Sequence, residues 1–275
     1  MEFDTGLFKS TVDQLEKLAK NIKDAIDTLI PNARDRGLSA LDGGILDFIG
    51  YPARQIVIDV AERMIEVCKA IWNKLLEILK GALAPIFMFE RGIGWGMAKG
   101  KAAGIKTDVD PNNLPAIRSW KGDAQVSYMR TATSQGAAAG KVAELSEKAR
   151  DVMLETAAAG LAFYIAMAQI TTSFVVQLGA EIAALATGVG ASAGLVGFLA
   201  TAGITTAQIT AACVAIGVIT AQQAKSISSL EAAVNDNDGF PVGSDGKRHW
   251  PDSQAPTFAD ASVNGNQLKW RIAGG

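Results

Sequence analysis

Histidine occurs once in this chain of 275 residues and cysteine twice, which removes most of the chemistry that depends on those side chains. Cys68 and Cys213 lie far apart inside apolar helical patterns, where a free cysteine packs as a small hydrophobe, so buried thiols are expected at both. They and the lone histidine cannot assemble a local set of zinc ligands. His249 stands in a polar stretch beside Arg248 and Trp250, with Asp245 and Asp252 nearby, as a solvated loop would present it. Charge is scarce as well: charged residues make up 20%, against about 25% in ordinary soluble domains. The net charge is -2 and the basic residues are scattered, so no footprint for a phosphate backbone exists and nucleic acid is excluded as a partner. The N-terminus, with Glu2, Asp4, Lys9, Asp13, Glu16 and Lys17, has no apolar stretch of signal-peptide type, and a cleaved signal is not expected. No Gly-x-Ser-x-Gly elbow, Walker loop or kinase set is present, and nothing marks out a carboxylate pair. The expectation is a protein with no catalytic residues, no cofactor, no metal and no small-molecule substrate.

What is present is helix. Phe8, Val12, Leu15, Ala19, Ile22, Ile26 and Leu29 recur at alternating steps of four and three, a heptad seam over about Thr5 to Leu29 that Pro31 and Gly37 are expected to stop. A second helix starts near Pro52 and carries the seam Val57, Ala61, Met64, Cys68, Ile71, Leu75 and Ile78, until Pro85 kinks or ends it. The two seams are expected to pack as an antiparallel hairpin. Beyond Pro85, Gly92, Gly94 and Gly96 flank Trp95 without the preceding strand or the spacing of a dinucleotide loop, so they count as helix-packing glycines. Lys99, Lys101 and Lys106 suit a solvated helix end. Asp108 to Pro115 is the clearest linker of the first half.

A third long helix begins near Trp120. From Thr156 to Ala180 it has no charged residue; Glu181 interrupts, and Ile182 to Ala224 is again charge-free. Both stretches exceed the roughly 20 residues a bilayer span needs, yet both are diluted by threonine, serine, glutamine and glycine. Gly190, Gly194 and Gly197 follow the small-xxx-small spacing of close helix approach, a rule obeyed in membranes and in tight soluble bundles. Burial in protein and insertion into membrane therefore both stay open, and Ile182 to Ala224 is expected to be the most tightly packed part of the chain. After Leu230 a polar connector leads to Asn264-Gly265, with Thr257 to Val263 and Asn266 to Ile272 expected as the arms of a β-hairpin.

Trp120-Lys-Gly122-Asp-Ala, followed by Tyr128 and Gln135, resembles the Trp-x-Gly proteins handled by type VII (ESX-type) secretion in actinobacteria. The resemblance runs from about Asn112 to Gly275. It implies a helical hairpin with Trp120 and Gly122 at its turn, Tyr128 and Gln135 nearby, and apolar Ala- and Gly-rich helices following. It also implies a secreted or cell-envelope destination, cytoplasmic before export, and a helical secretion partner or a homo-oligomer. The family's export signal, Tyr-x-x-x-Asp/Glu, is absent: Ala132 follows Tyr128 at that spacing, Ala168 follows Tyr164 and Gln55 follows Tyr51. A co-secreted partner would then supply the signal.

The expected fold is all-α, a long antiparallel helical bundle with heptad seams and a small C-terminal β-hairpin. Its expected organisation is an N-terminal helical hairpin (1–107), the Trp-x-Gly helix with the apolar helices (108–234), and a polar connector with the hairpin (235–275). The expected function is non-enzymatic: assembly or partner binding linked to type VII secretion. The alternative is a membrane-inserting or pore-forming protein that uses the charge-free segment 156–224.

Overall fold

The computed structural model describes residues 3–42, 50–188, 191–236, 239–252 and 271–272. The described residues are almost wholly α-helical: α1 (Thr5–Asp24), α2 (Ile30–Asp42), α3 (Gly50–Lys80), α4 (Ala84–Asp108), the short α5 (Pro115–Ser119), α6 (Asp123–Ala186) and α7 (Ala191–Asn235). The chain packs as two compact units, each built from two separated stretches: Met1–Met88 with Thr156–Ala221, and Phe89–Glu155 with Gln222–Gly275. The boundaries read from the sequence at 107/108 and 234/235 follow chain order instead.

In the first unit, the side chain of Asp4 caps α1 by accepting from Leu7 N at 2.9 Å. Phe8, Thr11, Leu15, Leu18, Ala19 and Ile22 form the buried stripe of α1. Pro31 and Gly37 do not stop this helix. Between α1 and α2 the chain makes one π-helical turn, Ala25–Leu29, in which Ile30 N–H donates to Ala25 O, five residues back. A proline ring in a regular helix meets the carbonyl four residues before it; the widened turn carries the chain past Pro31. The turn inserts one residue into the repeat, so the seam moves from Leu29, which is 44% exposed, to Ile30, which is 0% exposed, and continues through Ala33 and Leu41.

Val57, Ala61, Met64, Cys68, Ile71 and Leu75 are all buried along α3, as their spacing predicts, and Ile78 is half-buried. α3 runs antiparallel to α1 and α2: Gly37 lies beside Val57, while Phe8 meets Tyr164 edge-on at 5.2 Å and the Tyr164 hydroxyl donates to Ile78 O at 2.7 Å. Pro85 neither kinks nor ends α3. The helix closes in a turn at Gly81–Leu83, and Pro85 sits in the first turn of α4, where a missing N–H leaves no bond unmade. Gly160 makes room for it, since a Cβ there would lie 2.5 Å from Pro85 Cγ.

α1 lies parallel to α6, with Gln14 Nε2 donating to Thr172 Oγ1 at 3.2 Å. α6 ends at Ala186; Gly188 adopts φ +72, the left-handed conformation that ends many helices, and Leu185 O accepts its N–H at 3.1 Å. α7 then returns antiparallel, with Phe174 and Phe198 6.3 Å apart between ring centroids. The first unit is thus an up-down helical bundle.

In the second unit, α4 and α6 form an antiparallel pair. Gly92 faces Leu154, Lys99 pairs with Glu147 at 2.5 Å, Gly140 lies against the Lys106 stem and Gly136 against Val109. Gly92 is a packing glycine as expected, because a Cβ on it would lie 2.7 Å from Leu154 Cδ2; Gly94 meets nothing within 4 Å. The end of α7 packs back on α6 through Lys141 and Asp236, 3.0 Å apart. The β-hairpin expected at 257–272 lies outside the described residues except for Arg271–Ile272, and these pair antiparallel with Trp120–Lys121.

Candidate functional site

The residues that carry the Trp-x-Gly resemblance gather at one end of the α4–α6 hairpin. Between the two helices the chain passes through a 3-10 turn at Pro111–Asn113, capped by Asp110 Oδ1 accepting from Asn112 N at 2.9 Å, and then through α5. Trp120 and Lys121 are extended, and their backbones pair with Ile272 and Arg271. Gly122 has φ 94, a conformation that L side chains rarely adopt, and its carbonyl accepts Val126 N–H at 3.2 Å in the first turn of α6. Gln125 Nε2 closes the connection by donating to Ile117 O at 2.7 Å.

Tyr128 lies in the second turn of α6 and is 37% exposed. Gln135 has an anchoring role that its spacing did not indicate: its Nε2 donates to Pro251 O at 2.9 Å and ties the 239–252 segment to α6. That segment is a compact turn. Gly243 N donates to Lys247 O, His249 N donates to Pro241 O, and Trp250 packs on Phe240 edge-on at 6.2 Å. His249 is an exposed residue of this turn, 2.8 Å from Asp245 Oδ1; that hydrogen bond holds the Asp245 carboxyl below its ordinary range. Lys141, paired with Asp236, has its pKa raised by that hydrogen bond. A groove of ≈ 680 Å³ between α6 and the turn is lined by Ser127, Arg130, Ser134, Phe240, Pro241 and Asp252.

The second candidate surface lies on α6 and α7 in the first unit. α7 is not the tightly packed element expected of it. Only 17% of its most apolar window is buried, against 39% for α6, and Val196, Ile204, Val214 and Val218 are all more than half exposed. Both helices are long and apolar enough to cross a membrane. Among the three proposed packing glycines, Gly190 lies outside the described residues and Gly194 lies in the first turn of α7. At Gly197 a Cβ would meet Glu181 Oε1 at 2.7 Å, the movable end of a side chain. The close approach of backbones occurs elsewhere: a Cβ on Gly37 would lie 2.5 Å from Leu185 O, and one on Gly188 would lie 2.6 Å from Gly37 O. Cys68 is buried, and burial pushes its thiol up to about 12, while Cys213 is only half-buried.

No protein-family model, no curated protein and no solved structure matches this chain.

Proposed function

We propose that this protein acts by contact and not by catalysis, and that the apolar part of α6 and α7 enters a lipid bilayer. The observation that carries this reading is α7 itself. From Ala191 to Ala224 α7 has no charged residue and the composition of a protein core, but only 17% of its most apolar stretch is buried. Water is a poor solvent for such a surface, and hydrocarbon is a good one. A core helix of a soluble bundle would meet the same criteria of length and composition, but it would be mostly buried. The test is flotation, without detergent, on vesicles of phosphatidylcholine and phosphatidylglycerol. The protein is expected to rise with the vesicles, and Ile204→Glu with Val214→Glu to stay at the bottom with unchanged circular dichroism, since both side chains are exposed. Wild-type protein that stays at the bottom overturns the reading.

A second reading, association with type VII secretion, draws on the α4–α6 hairpin. What supports it is that Trp120 and Gly122 sit in its connection, where Gly122 takes a backbone conformation that favours glycine. On this reading the hairpin binds itself or a helical secretion partner and reaches the cell envelope with it. Trp120→Ala is expected to lower export more than helicity; equal loss of both would leave the tryptophan a purely structural role.

A further inference from the structure

Thr156–Ala221 of α6 and α7 belongs to the first unit, and the chain's charge changes close to those limits. Arg150, Asp151 and Glu155 precede the apolar stretch, Lys225 and Glu231 follow it, and Glu181 is the one charged residue between. Glu181 sits a turn and a half before the end of α6, close to the reversal at Thr187–Gly188. Across the hairpin it faces Gly197, whose missing side chain leaves space for the carboxylate. The arms are longer than a bilayer requires: at 1.5 Å per residue, 156–186 is about 46 Å and 191–224 about 51 Å, against a hydrocarbon core of about 30 Å.

Resting on the membrane reading above, we infer that 156–224 crosses the bilayer as a helical hairpin, with Glu181 and the reversal at the far interface and both flanking segments on the side of entry. The charges fix this disposition. A carboxylate is strongly disfavoured in mid-bilayer and tolerated where it reaches the headgroups. Counting about 20 residues back from Glu181 reaches Leu161, and counting about 20 forward from Gly197 reaches Ile216, so both 30 Å spans fall within the charge-free runs. A helix pair lying flat in one leaflet would leave Glu181 in the same interface as Lys225. In the hairpin the two lie at opposite interfaces.

The experiment uses the full chain with Cys213→Ser, carrying either Ala183→Cys near the reversal or Ser228→Cys beyond the second arm; both positions are exposed in the bundle. The same chain without an introduced cysteine supplies the blank for Cys68. After binding to phosphatidylcholine and phosphatidylglycerol vesicles and flotation, a membrane-impermeant maleimide is added outside. The residue-228 cysteine is expected to label at once. The residue-183 cysteine is expected to label only after the vesicles are permeabilised, although it labels freely without vesicles. Floated protein that labels equally at both positions overturns the hairpin and leaves the membrane contact standing. Protein that does not float overturns both.

Discussion

Leu29 and Ile30 are neighbours with opposite fates, and one hydrogen bond decides between them. Because Ile30 N–H reaches back to Ala25 O, the stripe that buries Ile22 and Ile26 buries Ile30 next and leaves Leu29 in water. Ile30→Asp places a charge among apolar side chains and is expected to cost several kcal/mol, whereas Leu29→Asp falls within about 0.5 kcal/mol of wild type. A denaturant melt of each variant checks this, and the reverse order would place the seam on Leu29 after all. The glycines divide in the same way. Gly37 and Gly188 stand where backbone meets backbone, and carbonyl oxygens of a helix cannot give way. Gly203 and Gly217 meet nothing within 4 Å, and the Glu181 carboxylate beside Gly197 can swing aside. Spacing alone marks all of these as small; only the neighbour shows which of them must be.

At the scale of the element, the seams of α1 and α3 were legible because Phe8 to Ile26 and Val57 to Leu75 keep one period and that period has one buried face. The passage through Pro31 was not legible. Proline is a helix breaker by local rules, and a switch from i−4 to i−5 bonding leaves no mark on side-chain identity. Pro85 was ambiguous for a related reason, since a proline can end one helix or suit the first turn of the next, and here it does the second. α7 was misjudged because small, uncharged side chains do not say how much of a helix its neighbours cover, and only the burial shows it. The helix expected to begin near Trp120 begins at Asp123, after the extended pair Trp120–Lys121, and the Gln135 anchor to Pro251 was not legible, because it joins residues 116 apart in the chain.

For the molecule as a whole, the helices that cover α6 must be reconciled with the bilayer entry proposed for it. In the first unit α1 lies along α6: Phe8 packs on Tyr164 and Gln14 bonds Thr172. Leu161, Met167 and Phe174 of α6 are fully buried in the bundle. Each side chain of this size is stabilised by roughly 1.5 to 3 kcal/mol through burial, so α6 does not leave its cover unless the bilayer offers it an equally apolar surrounding. On the membrane reading, α7, with Val196, Ile204, Val214 and Val218 more than half exposed, makes the first contact, and α6 follows only if α1 moves away. A tether across the α1–α6 contact should therefore stop the second step. With Cys213→Ser as background, Gln14→Cys and Thr172→Cys are joined by a thiol-cleavable bismaleimide, and residue 183 carries an alkyl azide side chain, untouched by maleimide, that is read with a membrane-impermeant cyclooctyne. The tether is expected to leave this residue-183 probe open to outside reagent on vesicles. Cleaving the linker is expected to restore its protection. If the tethered chain protects residue 183 as fully as the free one, α1 travels into the bilayer with α6, and the N-terminal helices are part of the inserted form instead of its cover.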